Sequence, residues 1–281
     1  RAQEPMTEPA PPPHLLVTGG SSGIGFATAR IAVREGWSVS LIARDGGRLS
    51  EAAARLRRDQ RIKRPQIAVF SADVSNRHDA ERALTAATAR FGAPEIALLC
   101  AGVARPGRFE TLEPEHFEAA MRVNYLGSLW CARALAPAMT AAGRGALVFV
   151  SSGAGLIGLY GYTAYAPSKF AVRGLAESLR GELRPTGVSV SVVYPPDVDT
   201  PMLAAEEALK PVETKALSSA GGVLSADRVA ASIWRGVARR RFTITPGWEM
   251  TGLQLGHSLL GRWIRIWSDR TTARARRRDP R

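Results

Sequence analysis

Cysteine is nearly absent: Cys100 and Cys131 are the only two in 281 residues. One ends an apolar run and the other sits in a helical pattern. They make no disulfide framework and are expected as buried free thiols, which fits a reducing cytoplasm. The four histidines, His14, His78, His116 and His257, are scattered without metal-ligand spacing, so no metal is expected. No stretch reaches the roughly 20 uninterrupted apolar residues of a membrane-spanning helix. No secretory signal is visible either. Residues 1–13, RAQEPMTEPAPPP, are proline-rich and lack an apolar core, so they are expected to be disordered, with Met6 as the expected start.

Acidic residues are the minority, 25 against 38 lysines and arginines, a net charge of +13. Residues 262–281 carry eight arginines against Asp269 and Asp279, a net of +6, which leaves +7 for the rest of the chain. Much of the excess is therefore a tail property. With no reading helix or zinc module, no nucleic-acid partner is expected.

What is present is alternation. Apolar strand-like runs at 14–18, 37–43, 66–70, 95–100, 146–151, 188–194 and 242–245 are separated by helical patterns near 23–35, 45–60, 76–91, 114–141 and 162–184. Strands apolar throughout belong to a parallel sheet covered on both faces. Right-handed crossovers make this an α/β, doubly wound parallel sheet, the Rossmann fold. The expected organisation is one Rossmann domain over 14–246, followed by a helical and basic extension over 247–281.

Between the first strand and first helix stands TGGSSGIG, Thr18 to Gly25. Glycine allows a tight turn and close approach of a ligand to the backbone. The helix N-terminus beyond it suits a pyrophosphate. Gly19, Ser21, Ser22, Gly23, Ile24 and Gly25 are the candidate cradle. Further on, YGYTAYAPSKFAVRG places Tyr165 and Lys169 four residues apart, on one face of a helix. A neighbouring ammonium favours a phenolate, so the pair is expected to exchange a proton with a substrate oxygen near neutral pH. Ser152 ends the apolar run ALVFVSS, and Asn124 lies upstream in VNYLGS.

Together these motifs resemble the short-chain dehydrogenase/reductase family over roughly residues 14–245. The resemblance implies Tyr165 as general acid/base and Ser152 as the hydrogen-bond donor to the substrate carbonyl. It implies Lys169 on the nicotinamide ribose and Asn124 supporting a water relay to Lys169. Tyr160 and Tyr162 are not four residues before Lys169 and are read as pocket or packing residues. The resemblance also implies cofactor contacts at Asp73 and Val74 after the third strand, Ala101 and Gly102 after the fourth, and Pro195 and Thr200 after the sixth. Where the family often reads NNAG this chain reads LCAG, and where it usually reads PG this chain reads PP.

At the end of the second strand, an enzyme using NAD usually carries a carboxylate for the ribose 2′-hydroxyl. Here Ala43 holds that place and Arg44 follows, with Arg48 one turn on. Guanidinium welcomes a 2′-phosphate, so NADPH/NADP is the expected cofactor.

The runs GRFETLEPEHFEAAMRVNYLGS, FVSSGAGLIGLYGYTAYAPSKFAVRGLAESL and YPPDVDTPMLAAEEALKPVETKALS resemble the 3-ketodihydrosphingosine reductases of that family. This implies a long-chain keto-base substrate, reduced with NADPH to sphinganine in sphingolipid synthesis. The segment from Asp197 to about Leu224 is expected to close over the acyl chain. Met202, Leu203, Leu209 and Leu217 are read either as its lining or as the core side of a short helix. The Arg/Ala-rich composition and lack of a long apolar anchor suggest a bacterial source. Two rival readings stand beside this one: an NADP-dependent reductase of another lipid-like ketone (steroid, retinoid or acyl ketone), and a non-catalytic nucleotide-sensing protein on the same fold.

On a helical wheel Trp248, Leu255, Leu259, Leu260, Trp263, Ile264 and Ile266 fall on one half of the extension, and Gln254, His257, Ser258, Arg262 and Arg265 on the other. Glu249 is an exception near the start. Amphipathicity demands an apolar partner without naming it. Peripheral contact on the inner face of a membrane, packing on the catalytic domain, and contact with a second subunit in a homo-oligomer all remain open.

Overall fold

A computed structural model describes residues 11–59, 66–218 and 222–278. The elements run in chain order β1 (His14–Thr18), α1 (Gly23–Arg34), β2 (Ser38–Ala43), α2 (Gly46–Arg57), β3 (Ile67–Ser71), α3 (Arg77–Phe91), β4 (Ile96–Leu99), α4 (Pro114–Ala120), α5 (Gly127–Ala141), β5 (Gly145–Val150), α6 (Tyr165–Leu183) and β6 (Val188–Val193). They continue with β7 (Val198–Asp199), α7 (Pro201–Glu207), α8 (Val212–Ser218), β8 (Leu224–Ser225), α9 (Ala226–Ala238), β9 (Thr243–Ile244), α10 (Trp248–Gly256) and α11 (Gly261–Arg278). Residues 1–10, with the expected start at Met6, lie outside the described set. Pro13 is already ordered, because its carbonyl accepts from the Ser38 amide at 2.9 Å.

Among the described residues seven strands pair in the order β3-β2-β1-β4-β5-β6-β9, every pair parallel. Alternation along each strand splits the core in two. Leu15 and Val17 of β1 point to the face covered by α1, α2 and α9, through Ala29, Val33, Leu49, Val229 and Ile233. Leu16 points to the opposite face, where α3, α5 and α6 contribute Leu84, Leu135, Met139 and Val172. The doubly wound sheet read from the sequence is therefore present. Strand order reverses between β1 and β4, and the crevice outside the carboxyl ends of those parallel strands is where such sheets hold ligands.

The helical pattern expected over 114–141 is interrupted. Residues Met121–Leu126 form a π turn between α4 and α5, a local widening common at functional sites. The extension after β9 is helical but in two pieces, since α10 ends before His257 and α11 begins at Gly261. A single helical wheel therefore does not describe it. Trp248, Leu255, Leu259, Leu260 and Trp263 are exposed, whereas Ile264 and Ile266 are half-buried. No helix among the described residues is long and apolar enough to cross a membrane.

Candidate active site

The cradle comes first. Gly19 has φ +71° and Gly23 φ +54°, both in the left-handed region that favours glycine. A Cβ at Gly19 would lie 2.9 Å from the Ala101 amide nitrogen, so the ends of β1 and β4 abut there. A Cβ at Gly25 would lie 2.5 Å from the Gly19 carbonyl oxygen, so α1 is packed directly under its own entry turn. Ser22 caps α1 without a side-chain hydrogen bond, so the cap residue's own side chain does not cover the first-turn amides. Ser21 and Ile24 are half-buried around the same turn. A Cβ at Gly23 would approach the Thr200 methyl at 3.0 Å, which brings the segment after β6 over the turn. This bare, amide-lined cradle fits a dinucleotide pyrophosphate.

Around it the other expected cofactor residues take separate positions. Arg44 and Arg48 are exposed at the end of β2 and the start of α2. Asp45 between them is occupied as a cap, accepting from the Arg48 amide at 3.0 Å, so its carboxylate is turned to the helix and not to a ribose. Asp73 accepts from the Ser75 amide at 2.9 Å, and its own amide donates to Asp79 at 2.6 Å. Val74 is buried against Gly127 of α5. Pro195 is buried, and its carbonyl accepts from the Gly153 amide at 3.0 Å.

The catalytic candidates converge at the ends of β4 and β5. Ser152 follows β5, accepts from the Ala154 amide at 3.1 Å and lies close enough to the Tyr165 hydroxyl to lower its pKa. Lys169 is buried one turn along α6; its Nζ donates to the Val150 carbonyl at 3.0 Å and lies 5.4 Å from the centre of the Tyr165 ring. Asn124 is held in the π turn by both groups of Val103, accepting from its amide at 2.8 Å and donating to its carbonyl at 3.0 Å. It also donates to Ser168 at 2.8 Å. A Cβ at Gly102 would sit 3.1 Å from Asn124 Oδ1 and 3.6 Å from Lys169 Nζ, so a side chain there would press on Asn124 and touch Lys169.

Electrostatics here differ from the sequence expectation. Burial pushes the Tyr165 phenol well up, the Glu206 charge adds to the rise, and the Ser152 side chain opposes it. Burial brings Lys169 down to about 8, opposed by Cys100 and Glu206. Desolvation thus dominates the phenol, and the Lys169 ammonium is engaged by the Val150 carbonyl. Both thiols are free as expected, but only Cys131 is buried and Cys100 is half-buried; desolvation pushes Cys100 up to about 11 and Cys131 to about 12.

The segment after β6 is clipped at its base by β7 pairing with β8, Val198 to Leu224 and Asp199 to Ser225. Met202 is exposed, Leu203 and Leu209 are half-buried, and Leu217 is buried. Residues 219–221 lie outside the described set. Several residues here escaped the sequence reading. Glu206 is buried and accepts from the Tyr162 hydroxyl at 2.8 Å. Glu213 is fully buried and accepts from Arg108, Tyr160 and Arg276, the last reaching in from α11. Met250 of α10 packs on Gly153, one residue from Ser152; a Cβ there would meet its sulfur at 3.2 Å. In AAEEALKP nothing separates Glu206 from Glu207 except helical phase. Nothing in the sequence pairs Glu213 with Arg276, 63 residues away.

A glycine cradle at a strand-order reversal, beside a Ser-Tyr-Lys cluster, defines a Rossmann-fold oxidoreductase. Residues 13–210 match the family described as short chain dehydrogenase, and the chain belongs to that family. It is 39% identical over 249 residues to a 3-dehydrosphinganine reductase of Danio rerio, covering 87% of this chain and 75% of that one. Among solved structures, it is similar to a short chain dehydrogenase/reductase from Burkholderia phymatum in complex with NAD, with a TM-score of 0.78, 26% identity and coverage of 90% and 95%. A short-chain dehydrogenase from Sphingobium yanoikuyae in complex with NADPH gives 0.75, 27%, and 92% and 96%.

Proposed function

We propose that this protein reduces the 3-keto group of a long-chain 3-keto base, 3-ketodihydrosphingosine, to sphinganine with NADPH. The observation that carries the reading is the Ser152–Tyr165–Lys169 cluster beside the glycine cradle, in a chain 39% identical to a 3-dehydrosphinganine reductase. Exposed Arg44 and Arg48, with Asp45 engaged as a helix cap, support a 2′-phosphorylated cofactor. When bound, that cofactor supplies the hydride for the carbonyl carbon.

Negative charge then grows on the carbonyl oxygen. Ser152 donates a hydrogen bond to it and Tyr165 donates the proton, so the ketone becomes an alcohol. Positioned acid catalysis of this kind is worth about 10²–10⁴-fold. Lys169, whose Nζ lies 5.4 Å from the centre of the Tyr165 ring, holds the nicotinamide ribose and makes the phenol's donation easier. Asn124, clamped by Val103, fixes the geometry around Lys169 and Gly102. The test is mass-spectrometric detection of sphinganine from 3-ketosphinganine, with NADPH against NADH, in wild type and Arg44→Asp. NADPH preference in the wild type and its loss in the variant are expected. Turnover of a steroid or retinoid ketone but not the keto base transfers the reading to that substrate class, and no turnover with any ketone returns the protein to nucleotide sensing.

Exposed Trp248, Leu255, Leu259, Leu260, Trp263 and Trp267 among the arginines of α11 support docking of the extension on an anionic membrane surface, where such a substrate resides. The Arg276–Glu213 pair supports packing of the other side of α11 on the catalytic domain.

A further inference from the structure

The least explained charge near the reacting centre is Glu206. It lies in the last turn of α7, the helix that starts over the cofactor turn at Thr200. On this short helix Met202, Ala205 and Glu207 face solvent, while Glu206 is only 8% exposed. Its Oε2 accepts from Tyr162, whose ring centre is 5.6 Å from that of Tyr165. Its charge is felt by both Tyr165 and Lys169.

A buried carboxylate is costly unless it is paired. Lys210 is the neighbouring cation, but its Nζ is already shared between Asp197 at 3.2 Å and Glu207 at 3.1 Å. Among the described residues no cation lies within ion-pair distance of Glu206. Burial accordingly raises its pKa, opposed by the Tyr162 hydrogen bond and Lys210 and helped by Asp197 and Glu207. A positive charge brought beside it would favour the ionised form and recover part of the desolvation cost.

We infer that Glu206 is a specificity residue that receives the primary ammonium on the carbon next to the substrate ketone, with Tyr162 holding the carboxylate in place. The inference rests on the keto-base reading and adds the residue that distinguishes an amino ketone from a plain one. The polar end of the substrate is then gripped at two adjacent carbons, the carbonyl by Ser152 and Tyr165 and the ammonium by Glu206. The alkyl chain contributes nothing to that discrimination.

The experiment measures kcat and KM for 3-ketosphinganine and for a hydroxy ketone of equal length lacking the amine, in wild type, Glu206→Gln and Glu206→Asp. The wild type is expected to favour the amino ketone. Glu206→Gln should lower kcat/KM for the amino ketone about 10–100-fold, mainly through KM, the scale of a lost hydrogen bond to a charged group. The plain ketone should lose clearly less, any shared change entering through kcat because Tyr165 and Lys169 feel the Glu206 charge, and Glu206→Asp should restore part of the preference. Equal loss on both ketones marks Glu206 as structural and overturns the inference. So does a wild type that reduces the amino ketone without preferring it, and in that case the keto-base reading survives. A wild type that reduces only the plain ketone removes both. N-acetylated 3-ketosphinganine, tested on the wild type alone, guards against a variant that fails to fold: reduction as efficient as that of the free amine overturns the inference.

Discussion

Gly25→Ala separates the packing role of the glycine cradle from ordinary helix propensity. Within a helix, alanine is favoured over glycine by about 1 kcal/mol. At Gly25 the added methyl would sit 2.5 Å from the Gly19 carbonyl oxygen, 3.0 Å from its carbon and 3.1 Å from a Val17 methyl. The first two are backbone atoms, so no rotamer relieves the contact. Real Cβ atoms keep at least 3.0 Å, and α1 must therefore withdraw from its entry turn by about 0.5 Å or more. Overpacking of this kind costs about 1–3 kcal/mol, and a rigid backbone contact belongs at the upper end. Set against the propensity gain, the net is a loss of about 2 kcal/mol. That corresponds to a fall in Tm of about 4–8 °C. The same withdrawal opens the pyrophosphate cradle, so the dissociation constant for NADPH should rise more than about tenfold. The control is Gly174→Ala in α6, where the added methyl meets nothing within 4 Å. There propensity alone acts, and Tm should rise slightly with cofactor affinity unchanged. Thermal melts and fluorescence titration with NADPH check both. If Gly25→Ala melts like Gly174→Ala and binds NADPH like the wild type, the cradle does not work as described.

Tyr165→Phe should leave NADPH binding intact and cut turnover at least tenfold, within the range of a lost acid catalyst; separate measurement of affinity and kcat checks it, and a smaller loss removes Tyr165 from the proton-transfer role. Burial lowers the pKa of His14 from the ordinary 6.5, against the Gly92 carbonyl bond that raises it. The unfolded chain then takes up this proton before the fold does, so the His14 contribution to stability is full above 6.5 and is lost as pH falls through the lowered value. Urea unfolding from pH 8 to 5 should show a flatter pH slope in His14→Gln than in the wild type, and parallel slopes would refute it. Flotation on anionic liposomes at low salt should recover the full chain but not a chain ending at Gly247, since each basic residue near the surface adds about 1 kcal/mol; equal flotation assigns the exposed tryptophans to a protein contact.

Both the doubly wound sheet and most of the candidate site were legible in the amino-acid sequence. Apolar runs alternating with 3.6-residue patterns leave little choice of topology. Gly19 and Gly25, or Tyr165 and Lys169, lie close enough along the chain for local geometry to relate them. The cap role of Asp45 is likewise local, three residues from its donor. Tertiary structure alone decided what depends on distant packing. Burial, which no short motif encodes, raised the Tyr165 phenol and brought Lys169 to about 8. The π turn that presents Asn124 breaks a helix whose pattern reads as continuous. Helical phase in a short segment carries a buried Glu206 as readily as a solvated one, and only contact with Tyr162, 44 residues away, shows which it is. The extension was legible as amphipathic, but its break before Gly261 and its grip on Glu213 through Arg276 arise from a surface that exists only after the chain has folded.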